Sequence, residues 1–237
     1  MLSFLLFLLL FLNGCADTEI TYKDSELFND SDSELAECPD DMVEVGKVCV
    51  DKYEASRSDA TESDQGTATD KAISKKGVMP WMVNPVSDEI YEMFKAACTA
   101  SGKRLCKDSE WLGACNGPDK TLFSWGNTFD REICNNVDAF CDDHCEEASI
   151  EECNTGANCG YEYQCFKPLP TGSFENCKNF AGAFDINGNV WEITDTGNGY
   201  LIRGGAFNCA NAEQRFECNF SAGWKELYAG FRCCKER

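Results

Sequence analysis

The sequence predicts an α+β domain that has little regular secondary structure and is held together by disulfide bonds. Two helices can be placed from their caps and apolar spacing, whereas short apolar runs separated by Gly and Asn indicate short strands and long ordered loops. The 237 residues include seventeen cysteines, a content typical of proteins that fold in an oxidising compartment. One globular domain with added segments is therefore expected.

The N-terminus has the composition of an export signal. The run MLSFLLFLLLFL is apolar but shorter than the roughly 20 residues of a membrane-spanning helix. Residues 1–14 are therefore predicted to be a signal peptide. The segment Leu12-Asn13-Gly14-Cys15 resembles the bacterial lipobox, whose cysteine is lipidated and becomes the mature N-terminus. This favours a bacterial cell-envelope protein anchored to the membrane through Cys15, with a plain secretory signal as the alternative.

Two polar stretches interrupt the chain. Residues 15–37 are predicted to form a flexible tether, because residues 16–37 carry eight carboxylates and few large apolar groups and cannot bury enough surface to offset ordering entropy. The folded domain is then expected over residues 38–237. Within it, the stretch from Ser56 to Thr69 is expected to be a surface loop.

The net charge restricts the partners. With 41 acidic and 21 basic side chains, the formal charge is −20, which repels nucleic-acid phosphates. A role in nucleic-acid binding is therefore excluded.

The two helices follow from local signals. The first is predicted from Ser87 as N-cap to Ser101, with Gly102 ending it. Its apolar residues recur at the helical period and place Cys98 on the buried face. The second is predicted to begin at residue 108 or 109 and to stop at Asn116-Gly117.

Short motifs follow one another along the domain in a fixed order. They are ACTASGKRL (97–105), SEW (109–111), AC (114–115), SWGN (124–127), GNVWE (188–192), RGG (203–205) and GFRC (230–233), preceded by the weaker MVEV (42–45) and DKYE (51–54). In this order they resemble the formylglycine-generating enzyme, or sulfatase-modifying factor, family. The resemblance implies that family's variant of the C-type lectin fold, with two helices beside a twisted, largely antiparallel sheet.

The resemblance also implies disulfide partners. The family joins the cysteine of the first helix to that of GFRC, here Cys98 with Cys233. It joins the second-helix cysteine to one after RGG, here Cys115 with Cys218. Three further pairs are expected apart from the resemblance. They are Cys38 with Cys49, which would pin the first hairpin, Cys134 with Cys177, and Cys106 with Cys234.

The segment RGGAFNC decides whether the resemblance extends to activity. Aerobic members of the family bind copper(I) between two thiolates near RGG, and soft sulfur ligands suit that ion. The first thiolate would be Cys209, but the second falls on Gln214 and the motif serine on Ala206. Cys218 could in principle replace the missing thiol, but it lies nine residues after Cys209, which is the wrong spacing. It is also the expected disulfide partner of Cys115.

We therefore expect a non-catalytic domain without copper, which binds an extracytoplasmic protein or peptide or serves as an envelope component. The alternative is a formylglycine-generating oxidase that modifies a cysteine in a protein or peptide. Other catalytic classes lack their residues, because the chain has one histidine, His144. An iron site built on several histidines is excluded, and no nucleophile motif lies near His144 for Ser-His-Asp hydrolysis.

Residues 139–165 are expected to be a cysteine-rich insertion. Cys141, His144 and Cys145 resemble half a zinc site, but a disulfide knot is favoured outside the cytosol. Five cysteines lie between Cys141 and Cys165. Because five is odd, one is expected to pair outside the insertion, with Cys209 as the candidate.

The segment DINGNVWE predicts a structural calcium site, because two carboxylates flank a Gly-Asn turn whose carbonyls can face inward. An Asx-rich turn without metal is the alternative. Family members bind calcium here and at a second site. The implied ligands are Asp185, Glu192 and the carbonyls of Gly188 and Val190 at the first site, and Asn136 and the carbonyl of Val137 at the second.

Overall fold

The computed structural model describes residues 35–137, 166–209 and 213–237. The predicted signal peptide, Cys15, most of the tether, and the insertion cysteines with His144 lie outside these residues. In the part described, the helices are α1 (Asp88–Ala100), α2 (Asp108–Asn116) and α3 (Glu213–Phe216). The strands are β1 (Met42–Val45), β2 (Val48–Asp51), β3 (Ala55–Arg57), β4 (Ala72–Ser74), β5 (Arg104–Leu105), β6 (Trp191–Asp195), β7 (Tyr200–Arg203), β8 (Ala229–Phe231) and β9 (Cys233–Glu236). The predicted α+β class with little regular structure is confirmed.

The two predicted helices form where their local signals place them. The Ser87 hydroxyl accepts a hydrogen bond from the Ile90 amide at 3.3 Å, and two acidic residues occupy the first turn of α1, where the helix dipole favours negative charge. Helix α2 ends at Gly117, whose φ of 60° suits glycine. No helix among the described residues is long and apolar enough to cross a membrane.

Three small sheets organise the part of the domain that the structure describes. The largest has the strand order β1-β2-β9-β5 with antiparallel pairing throughout, and β3 pairs with β4. The third has the order β7-β6-β8, in which β6 is antiparallel to β7 and parallel to β8. The prediction of a surface loop from Ser56 is wrong at its start, because Ser56 lies in β3 and is fully buried.

Five disulfides connect these elements in the described residues. They are Cys38–Cys49, Cys98–Cys233, Cys106–Cys234, Cys115–Cys218 and Cys134–Cys177, the same partners that were expected from the sequence. Two of them attach adjacent residues of β9 to the end of α1 and to the residue after β5. The C-terminal strand is thus covalently fixed at two consecutive positions.

The core has two parts. The larger contains Trp81, Phe94 and Phe231, whose rings contact one another with centroids 4.0 to 5.7 Å apart. The smaller surrounds Trp111 and includes the disulfides of Cys115 and Cys106. Between them lies a buried polar network centred on Arg232, which is fully buried.

Candidate functional site

The RGG turn positions the chain that leads to Cys209. Gly204 and Gly205 have φ values of 97° and 76°, a region that favours glycine. A Cβ on Gly204 would lie 2.7 Å from the Ile186 carbonyl oxygen, and one on Gly205 would lie 2.7 Å from the Phe216 ring. The two glycines are therefore required by close packing, whether or not the segment is catalytic.

Cys209 is a free and buried thiol. Burial raises its pKa to about 11, against smaller lowering effects from the Ala206 backbone and the Arg215 guanidinium. Without a bound metal, a thiol with this pKa is almost entirely protonated at neutral pH and is therefore a weak nucleophile. The expectation that Cys209 pairs with an insertion cysteine is wrong, since the thiol is unpaired.

The positions that would complete a copper site hold other groups. Gln214 lies on α3 with its side chain exposed, and Ala206 is fully buried. Cys218 is joined to Cys115, so it cannot serve as the second thiol. In residues 35–137, 166–209 and 213–237 every cysteine except Cys209 is in a disulfide. The described residues therefore do not fit a copper(I) site with two thiolates.

Aromatic side chains continue from Cys209 to the surface. Trp191 lies with its ring centroid 6.0 Å from those of Phe220 and Trp224. Trp224 is 39% exposed and carries the Arg215 guanidinium 5.6 Å from its ring centroid. The surface beside Cys209 is thus aromatic and partly accessible, a composition typical of binding surfaces.

Glu192 takes part in a buried ion pair. Its two oxygens accept hydrogen bonds from Arg232 Nη2 at 2.5 Å and Nε at 2.8 Å, and from Trp111 Nε1 at 2.6 Å. Arg232 Nη1 also donates to the Asp51 carbonyl at 3.0 Å and Nη2 to the Phe184 carbonyl at 2.9 Å. Both oxygens of Glu192 are therefore already used, and its side chain does not fit the role of calcium ligand.

Glu54 is the residue of this region that sequence reasoning missed. It is fully buried and accepts hydrogen bonds from Asn189 Nδ2 at 2.6 Å and the Val190 amide at 3.1 Å. Burial, followed by the charges of Asp185 and Glu192, holds the pKa of Glu54 well above its usual range. In the sequence, Glu54 stands out only as part of the motif DKYE. No local pattern indicates its hydrogen bond to Asn189, which lies 135 residues later.

The remaining predicted calcium ligands lie near this network. Asp185 accepts a hydrogen bond from the Gly172 amide at 2.6 Å, and burial raises its pKa to about 7. Asn136 donates to the Cys134 carbonyl at 2.9 Å, and Val137 is buried. The described residues hold no group of three acidic, His or Cys side chains arranged to bind a metal ion. Calcium binding through Asp185 and backbone carbonyls stays a prediction.

Comparisons with known proteins give one family match and two structural neighbours. A family model described as "Sulfatase-modifying factor enzyme 1-like domain" matches residues 19–237. The Treponema denticola variable protein 1 shares 14% identity over 80% of this chain and 84% of its own, with a TM-score of 0.48. CarF shares 14% identity over 80% of this chain and 86% of its own, with a TM-score of 0.44. No curated protein sequence matches the chain.

Proposed function

The chain belongs to the sulfatase-modifying factor enzyme 1-like family. We propose that it is an exported binding domain of this family that does not carry out the oxidase reaction. It is anchored to the bacterial cell envelope through a lipid on Cys15 and binds an extracytoplasmic protein or peptide. The observation that carries this proposal is the state of Cys209. Its thiol is buried, its pKa is raised to about 11, and Gln214 stands where a second thiol is needed.

The chemistry of copper(I) supports the absence of the reaction. Two soft thiolates must converge on one ion, and the side chain of Gln214 supplies no second sulfur. Arg215 faces the thiol, but burial outweighs its charge. Ala206 adds no hydroxyl for proton transfer. The neighbouring Trp224 surface remains available for contact with another molecule.

The location is supported by covalent chemistry. Five disulfides in the described residues indicate an extracytoplasmic protein, because cytosolic reductants keep such thiols reduced. The lipid anchor rests on the sequence around Cys15 and has its own test. Metabolic labelling with a radioactive fatty acid should mark the wild-type protein, and Cys15→Ser should lose the label and leave the membrane fraction. A labelled Cys15→Ser protein would contradict the anchor.

The catalytic question is tested by copper(I) titration of the full chain with its disulfides intact. We expect no tight one-equivalent binding, and we expect Cys209→Ala to behave like the wild type. Tight binding that Cys209→Ala abolishes would contradict the proposal and favour the oxidase. A cysteine-containing sulfatase peptide, assayed for loss of its thiol under oxygen, provides a second readout.

A further inference from the structure

A surface groove of about 250 Å³ lies between β7 and the segment that follows Phe220. Residues 199–202 form one wall and residues 222–225 the other. The Ala222 amide donates a hydrogen bond to the Ile202 carbonyl at 2.9 Å, which joins the two walls. The groove is therefore formed by the fold itself, and its volume suits one large apolar side chain.

Two of the residues that line the groove are aromatic, Tyr200 and Trp224, and each lies beside a cation of the chain. The Lys225 ammonium lies 5.3 Å from the centroid of Tyr200, and the Arg215 guanidinium lies 5.6 Å from that of Trp224. Tyr200 packs on Tyr91 at 5.3 Å, and Lys95 lies over Tyr91 at 4.8 Å. The bases nearest the groove are therefore held against aromatic rings at cation–π distance, and the surface that lines the groove is mainly apolar.

The charges at the rim favour a basic occupant. Lys225 lies 3.8 Å from Asp88, and Lys95 lies 3.2 Å from Glu92, so each lysine is offset by an acid. Two further acids lie beside these residues: Glu89 is exposed in the first turn of α1, next to Asp88, and Asp195 pairs with Tyr200 in the β6–β7 ladder. Arg215, near the Trp224 ring, is a further base. On a chain of net charge −20, this rim attracts cationic partners and repels anionic ones.

From these observations we propose that the groove receives a large apolar side chain of a basic polypeptide segment, with flanking Lys or Arg at the acidic rim. This rests on the proposed function, since it names the chemistry of the bound partner. An apolar anchor in an aromatic pocket with charged neighbours is the arrangement in which a few residues provide most of the affinity.

The test uses dye-labelled synthetic peptides and fluorescence anisotropy. The first peptide has a central Phe flanked by lysines, the second has the same Phe flanked by glutamates, and the third has Ala between lysines. We expect saturable binding of the first alone, weakened by added salt. Absence of saturable binding, or equal binding of the second or third peptide, would overturn the proposal.

Variants locate the binding site. A Cβ on Gly223 would meet no atom within 4 Å, and Gly223 has no positive φ, so Gly223→Leu should fill the groove with an unchanged melting temperature. We expect Gly223→Leu and Trp224→Ala each to weaken binding roughly tenfold or more. Phe180→Ala, which removes a 56% exposed ring outside the groove, serves as the matched control and should bind normally. Normal binding by Gly223→Leu would overturn the proposal, whereas the copper titration decides the proposed function separately.

Discussion

The two cysteine-bearing ends of the family signature differ in how their functional groups are used. In GFRCC, Arg232 forms an ion pair with Glu192, and Cys233 and Cys234 form disulfides. In RGGAFNC, Cys209 is a free thiol. The arginine and both cysteines of the first stretch are engaged in contacts that hold the fold, while the second stretch contains a buried thiol that forms no disulfide.

The largest effect should come from removing both covalent attachments of β9. Replacing Cys98, Cys106, Cys233 and Cys234 by Ala removes two bridges with sequence separations of 135 and 128. When one bridge is lost, the other still closes nearly the same loop. We therefore expect the free energy of unfolding to fall by about 2 kcal/mol when one bridge is removed but by about 5 kcal/mol when both are removed. Urea unfolding measures this, and Cys209→Ala is the control, with an expected loss below about 1 kcal/mol. Additive losses would contradict the shared-loop explanation.

The buried ion pair gives the next effect. Arg232→Met leaves the buried carboxyl group of Glu192 without its partner and close to Glu54 and Asp185. We therefore expect a loss of about 3–5 kcal/mol in the free energy of unfolding. Lys95→Met removes an exposed pair with Glu92 and should cost less than about 1 kcal/mol. Equal losses in urea unfolding would show that the network around Arg232 does not stabilise the domain.

The carboxylate behind Cys233 predicts a dependence on pH. Burial raises the pKa of Asp51 from 3.8 to about 6, although Lys103 lies 2.6 Å away, and Asp51 accepts a hydrogen bond from the Cys233 amide. The folded state thus favours the protonated acid, and this stabilisation is fully present below pH 4 and is lost as the pH rises through 6. The difference between the pKa of Asp51 in the unfolded chain, 3.8, and in the folded protein, about 6, corresponds to roughly 3 kcal/mol of stability.

Asp51→Asn isolates this contribution from that of Asp185, whose pKa is also raised. We expect the unfolding free energy of the wild type, relative to Asp51→Asn, to fall by roughly 3 kcal/mol between pH 4 and 7. Chemical denaturation at several pH values measures it. A difference that stays constant with pH would place the Asp51 pKa at its ordinary value.

The smallest effect concerns calcium. The carboxylate of Glu192 is engaged in the ion pair with Arg232. Any calcium at this segment would therefore be held by Asp185 and backbone carbonyls, which form a weak ligand set. We therefore expect a chelator to lower the melting temperature by no more than about 2–4 °C and Asp185→Asn to remove the response. A large shift would mean that calcium displaces Arg232, and no shift would remove calcium from the description.

Local signals and family resemblance predicted different parts of this molecule. The cap at Ser87 and the glycine at 117 fix α1 and α2 within their own sequence, so these helices followed from the residues. The pairs Cys98–Cys233 and Cys115–Cys218 came from the resemblance, because distant cysteines cannot be paired by spacing alone. The contact of Glu54 with Asn189 spans 135 residues and leaves no local pattern. Ser56 was misassigned because a polar run favours a loop even where one member is buried in a strand.

The position of β9 has a consequence for how the chain matures. In the four-stranded sheet, β9 lies between β2 and β5, yet it is the last of these strands to be synthesised. Until residues 233–236 emerge, β2 and β5 lack the neighbour that joins them, and both bridges to β9 lack half their sulfur atoms. Pairing of such distant segments is slow. The four-stranded sheet can therefore be completed, and its two bridges to β9 can close, only after residues 233–236 have been synthesised.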